Sequence, residues 1–340
     1  MRDHVAALHA LPAADEENFR LITGFNDIFV TIACALVFAS AINVKVDAVP
    51  WLGALLVAVA SWLLAEVFTR KRRMALPSIV LLGAFVIGAG TCAWIITGQL
   101  MTTHEVTGSW EWEGKTHHWS RNELYPWQEA LRILGGACAG ALCALAHWLR
   151  FRVAITIAAG VGALVLLILS TIAALTDEKL FTNLFLAPAA LVCGIGVFAL
   201  AMRWDLSDRE RRTQRADIAF WLHLLAAPLL AHPLFYWMGV LGHARLTTLT
   251  GLGVLAIYLV FATVALAVDR RALLVSALAY VLAALYALLH RFGSVDLAMA
   301  LTTLLIGSAL LALSIFWARL RRIVLKALPE QWSSRLPGTA

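Results

Sequence analysis

The chain has 340 residues, of which 61% are hydrophobic and 14% charged, and it carries a net charge of +6. Soluble domains hold roughly 25% charged residues, so this composition excludes a water-soluble globular protein and makes hydrocarbon the expected solvent. The positive charge does not mark a nucleic-acid binder: the basic residues are scattered over short segments beside apolar stretches, where anchoring and topology account for them.

Residues 1–20 read as a cytoplasmic tail with a short amphipathic turn around Val5 to Leu11. The stretch Ile28 to Phe38, followed by Ala39-Ser40-Ala41, resembles a leader with a small-residue cleavage site. The acidic residues Asp15, Glu16, Glu17 and Asp27 oppose that reading, because a leader needs positive charge there. It is therefore expected to remain as the first helix. A bilayer core about 30 Å thick takes roughly 20 apolar residues at about 1.5 Å each. Stretches of that kind lie near 21–42, 50–68, 77–100, 129–149, 153–175, 184–203, 218–241, 248–268, 272–290 and 297–317. The longest connection is 101–128, too short for a soluble domain. The expected fold is all-α: a polytopic transmembrane bundle of about ten spans over 21–318, ending in a basic tail at 319–340. The run Arg319, Arg321, Arg322 and Lys326, with Leu320, Ile323, Val324 and Leu328 between, fits either an amphipathic helix on the headgroups or an extension of the last span.

Alternate connections differ sharply in charge. Of the lysines and arginines, 20 fall in the tails and in the turns near 72, 151, 210 and 270, and 7 fall in the remaining segments. Cytoplasmic loops retain positive charge, so both termini are expected in the cytoplasm and the 101–128 loop outside. The basic turns recur every 59 to 79 residues, and RRMALPSIVL, RFRVAITIAA and DRRALLVSAL follow three of them. Duplicated hairpins could produce this, but one topological rule acting independently at every turn explains it better. Two halves of five helices would join at 176–183, but they do not visibly match in sequence.

Polar residues inside spans are costly and are rarely kept without a partner. Asn26 and Asp27 open the first span and Glu66 closes the second. His147 ends the fourth, and Asp217, His223 and His232 lie in the seventh. Asp27 and His223 lie about six residues, roughly 9 Å, inside their helices, a common depth at which a ligand or proton site could form. Asn26, Asp27, Asp217, His223 and His232 are the candidate ligand or proton residues. Each has a plainer role. Glu66 stands one turn before Arg70, an i,i+4 pair. Asp217 complements the helix dipole, and Asn26 with Asp27 can fix helix packing. His147, Trp148, Trp204 and Trp317 are expected at the headgroups. His223 and His232 are nine positions apart, on opposite faces of a straight helix, and cannot jointly hold a metal or haem; Pro228 and Pro233 can bend it.

The 101–128 loop contains His104, His117 and His118, weak candidates for a divalent ion, but their spacing matches no ligand motif. Its alternating Trp110-Glu111-Trp112-Glu113 run, followed by Gly114-Lys115, predicts a small β-hairpin with indoles at the interface. The five cysteines fall inside spans and read as packing residues. No phosphate loop, dinucleotide fingerprint, nucleophile elbow or zinc-protease helix occurs, so no cofactor is implied and an enzyme is not favoured.

The segments LITGFNDIFV (21–30), ADIAFWLHLLAAPLLAHPLF (216–235), DRRALLVSALAYVL (269–282) and FWARLRRIVLKALP (316–329) resemble uncharacterised polytopic inner-membrane proteins of proteobacteria. The resemblance implies a multi-pass protein of the bacterial cytoplasmic membrane. It places recurring positions at Phe25, Asn26, Asp27, Asp217, His223, His232, Pro233 and Arg271, and supplies no activity. Two functions stay open: binding or transport of a small solute or lipid through the bundle, and a non-transporting accessory, assembly or sensor role.

Overall fold

Long uninterrupted apolar runs satisfy their backbone internally only as helices when water is absent, and helices dominate the computed structural model. It describes residues 25–44, 46–112, 115–176, 185–239, 248–274, 278, 281–282, 295–333 and 336. The expected N-terminal tail, residues 177–183 of the expected join, most of the expected ninth span and most of residues 334–340 lie outside the described residues.

Among the described residues, eight helices are long and apolar enough to cross a membrane, and they fall on the first eight expected spans. They are α1 (Phe25–Ile42), α2 (Leu52–Ala65), α3 (Ala75–Gln99), α4 (Pro126–Phe151), α5 (Ile155–Thr176), α6 (Leu186–Ser207), α7 (Gln214–Trp237) and α8 (Thr248–Val268). The end of α2 widens into a π-helical turn over Glu66–Lys71. The tenth expected span lies within α9 (Val295–Ala327), whose 33 residues carry the basic run onward as uninterrupted helix. A short helix, α10 (Glu330–Ser333), follows.

The predicted hairpin is present. Strands β1 (His104–Trp112) and β2 (Lys115–Glu123) pair antiparallel from His104 with Glu123 at the base to Trp112 with Lys115 at the tip. Pro126 then starts α4 at a position where a missing N–H is harmless. The Tyr125 N–H donates to Gln128 Oε1 at 3.0 Å, satisfying one backbone donor at the helix start.

Four side-chain-bearing residues adopt left-handed backbone, each at a basic turn after a helix: Arg73, Arg152, Arg211 and Asp269, with φ of 51, 53, 52 and 60°. Such corners usually take glycine.

The chain divides into two compact units, Arg20–Ala190 and Leu191–Ala340. In the first unit, Val30, Cys34 and Phe38 of α1 pack with Val57 and Ala65 of α2 and with Met74 and Leu81 beside or within α3. Helices α3 and α4 approach at Gly90 and Gly136. A Cβ on Gly136 would lie 2.9 Å from the Gly90 carbonyl oxygen, and one on Gly90 would lie 3.2 Å from that of Gly136. Glycine here lets backbones touch, the usual device for helix packing in lipid. In the second unit, Ala227, Ala231 and Phe235 of α7 join Val254, Phe261 and Ala265 of α8, and Trp317 of α9. Half of α7's apolar window is buried, against 17 to 33% for the other seven spanning candidates, so α7 is the most enclosed helix.

Candidate functional site

At the turn end of α7, the second unit buries a group of charges. Asp205, in the last turn of α6, is fully buried. Its carboxylate takes a two-pronged grip from Arg270, which follows the left-handed corner after α8. Arg270 Nε donates to Oδ2 at 3.0 Å and Nη2 to Oδ1 at 2.5 Å. The planar guanidinium suits such a fork, and Nη2 also donates to the Ala216 carbonyl at 3.2 Å. His223 of α7 places Nε2 3.3 Å from the same Oδ2, a hydrogen bond that requires the proton on Nε2. Its ring stands edge-on to Phe198 of α6 at 5.3 Å, and its Nδ1 is buried without a hydrogen-bond partner.

A second carboxylate extends the group. Asp269 accepts from Arg211 Nη1 at 2.9 Å and from the Trp317 indole N–H at 2.8 Å. Arg321 Nε stands 3.7 Å from it, and Arg211 also reaches the Val268 and Asp269 carbonyls at 3.2 Å each. Each buried charge has opposite charges beside it, as burial requires. One ion-pair network thus ties α6, α7, the corner after α8, and α9. Its chemistry is that of a clamp: both carboxylates are already engaged by arginine.

Among the candidates predicted from sequence, only His223 enters this clamp. Asp217 lies half-buried in the first turn of α7, where a carboxylate favours the helix dipole. His232 is exposed and stacks near Tyr236 with centroids 6.5 Å apart. Asp27 is buried near the start of α1 in the first unit, its carbonyl accepting from the Thr31 hydroxyl at 2.7 Å, and Asn26 is exposed. Asp205 and Arg270 escaped the sequence reading because they flank the expected spans, at positions treated as loop charges. The available signal was an aspartate next to Trp204 in a segment otherwise rich in arginine.

Two interface expectations are corrected. His147 is fully buried rather than at the headgroups. Its Nδ1 lies 3.2 Å from the Thr156 hydroxyl, and Trp62, Phe85 and Phe151 surround the ring. Trp317 is only 3% exposed, drawn inward by its bond to Asp269. Glu66 meets Arg70 as expected, at 3.2 Å, and also takes a fork from Arg150 Nε and Nη2 at 2.7 and 3.0 Å.

The first unit has an open groove of about 380 Å³ between α3, α4 and α5. Its lining combines the small residues Gly90, Gly136, Ala137, Gly140, Ala159 and Ala163 with the larger Val86, Ile133 and Leu166. A second open pocket of about 500 Å³ lies at the base of the hairpin, where Ile95, Gly98 and Leu124 mix with the polar Gln99, Thr103, Asn122, Glu123, Glu129 and Arg132. Neighbouring residues line the two: Trp94 and Ile133 line the groove, and Ile95 and Arg132 line the pocket at the hairpin base. Arg132 stacks on Trp94 at 3.7 Å and pairs with Glu129 at 2.8 Å.

The histidines considered for a metal do not converge. His117 pairs across the ladder with Trp110 and stacks on it at 4.5 Å, while the next residue, His118, faces the opposite side. His104 stacks on Tyr125 at the base, 4.1 Å between centroids. No group of three metal-ligating side chains occurs among the described residues. All five cysteines are free. The chain matches no family model, no curated protein and no solved structure, so the functional argument rests on its own residues.

Proposed function

We propose that the protein is a multi-pass protein of the bacterial inner membrane that binds a membrane amphiphile in the first unit, its hydrocarbon chain in the α3–α5 groove and its polar end at the hairpin base. In this reading there are ten spans, both termini are cytoplasmic and the hairpin is exported, as the arginine and lysine distribution favours. The polytopic inner-membrane proteins that the sequence resembles are its natural company. One observation carries the reading: the α3–α5 groove is apolar in its lining, while the pocket lined by the next residues of α3 brings Gln99, Glu123, Glu129 and Arg132 together at the hairpin base, so the two ends of an amphiphile would meet different surroundings. The groove falls within the range of about 300–1,000 Å³ usual for small-molecule sites.

Filling the groove tests this. Ala159→Leu and Thr91→Leu add bulk to the lining without touching the Gly90–Gly136 contact. Wild-type protein extracted in mild detergent is expected to retain an amphiphile by native mass spectrometry, and the variants to lose most of it while melting near the wild-type temperature. Wild-type protein with nothing bound, or variants that bind equally, overturns the reading.

The clamp favours a second reading. Its carboxylates are held by arginines and it ties four segments together, which suits a rigid accessory or sensor component better than an ion-coupled pump, where ionisable groups line the path. Binding without transport is common to both readings.

A further inference from the structure

The ladder register divides the hairpin into two chemically opposed faces. Cross-strand partners share a face, so His104, Val106, Gly108, Trp110 and Trp112 stand on one side with Lys115, His117, Trp119, Arg121 and Glu123. The other side carries Glu105, Thr107, Ser109, Glu111, Thr116, His118, Ser120 and Asn122. The first face holds all three indoles of the strands, and two cations against one carboxylate. The second holds two carboxylates and neither lysine nor arginine. Arg121 lies over the Trp119 ring at 5.2 Å and pairs with Glu123, and Gly108 leaves the space that Trp119 occupies.

At its base this face is partly covered, with His104 stacked on Tyr125, but toward the tip its indoles have no protein cover among the described residues. Residues 109–112 and 115–122 are all exposed, with Trp110, Trp112 and Trp119 at 50, 62 and 40%. A lone two-stranded hairpin is marginally stable in water. The hairpin springs from Gln99 at the end of α3 and returns at Pro126 to start α4, so both strands are tethered within a few residues of two helices able to cross a membrane.

We propose that the Trp110–Trp112–Trp119 face docks on the anionic headgroups of the leaflet at which α3 ends and α4 begins. Indoles favour the headgroup layer, Lys115 and Arg121 meet its negative charge, and Glu105 and Glu111 on the reverse side keep the orientation single. This holds whether or not the α3–α5 groove takes an amphiphile.

The full chain is placed in nanodiscs of phosphatidylcholine alone or with phosphatidylglycerol, and amide hydrogen exchange is followed over 104–123. With phosphatidylglycerol, exchange slows by about fivefold to thirtyfold, the factor that one or two cations near an anionic surface supply. In parallel, lipids brominated near the headgroup quench the wild type more than the W110F/W112F/W119F variant. Equal exchange in the two lipids overturns the proposal. So does finding these three indoles quenched by aqueous acrylamide and not by brominated lipid, which would mean that the face meets water or another protein. The exchange measurement needs no substitution, so a poorly folding variant does not blunt it.

Discussion

Glu66 and Asp205 each receive the fork of an arginine distant in sequence, Arg150 and Arg270 respectively, yet their surroundings are opposite. The Glu66 and Arg150 side chains are 27% and 40% exposed, and those of Asp205 and Arg270 are 0% and 3%. The same pair of functional groups is thus a surface strap in one unit and an internal tie in the other. Exposed pairs gain about 0–1 kcal/mol because water and salt screen them. Removing one partner of a buried pair strands a charge and costs about 3–5 kcal/mol.

The comparison breaks most visibly at Asp205. Asp205→Ala removes the carboxylate that grips the buried Arg270 guanidinium and accepts from His223. The expected loss is about 3–5 kcal/mol, measured as a fall in the thermal midpoint of purified protein; adding Arg270→Leu should recover part of it, since the stranded charge is gone. A fall no larger than that of the Glu66 variant would erase the distinction between the units. Glu66→Gln is expected to lower the midpoint only slightly, because water screens this pair, and its effect should shrink as salt rises from low to physiological ionic strength.

The smallest effect belongs to Asp208, between α6 and α7. Partial burial raises its carboxyl, but the Thr213 hydroxyl and amide, with the amides of Arg212 and Ala216, outweigh this and hold it below the ordinary carboxylate value. Its folded form therefore releases the proton more readily than the unfolded chain. That contribution is complete above the usual carboxylate range near 4 and disappears as pH falls through the lowered value. Comparing the melting of Asp208→Asn with wild type at pH 7 and pH 3 should show a modest deficit that closes at the acid end.

Much of the helical layout was legible because hydrocarbon imposes one rule on every residue of a span. Ala75–Gln99 or Leu186–Ser207 could be drawn within a few residues from apolar length alone. The hairpin was legible from the Trp110 to Glu113 alternation and the glycine after it. The clamp was not, because Asp205 and Arg270 are 65 residues apart and each borders a span, where a charge ordinarily needs no partner. His147 was misjudged for a related reason. Position along a helix gives depth, but not which neighbours close over a ring, and here Trp62, Phe85 and Phe151 do.

The left-handed corners have a further consequence. At Arg73, Arg152, Arg211 and Asp269 the backbone bends in a way that would relax by about 1 kcal/mol per residue with glycine, yet each corner keeps a charged side chain. At Arg211 and Asp269 that side chain is spent on the ion-pair network. Substituting glycine at those two would ease the local bend while cutting a long-range tie, whereas at Arg73 and Arg152 it would remove one positive charge from a basic turn. Conformational ease and wiring thus pull against each other at Arg211 and Asp269, and there the chain has settled in favour of wiring.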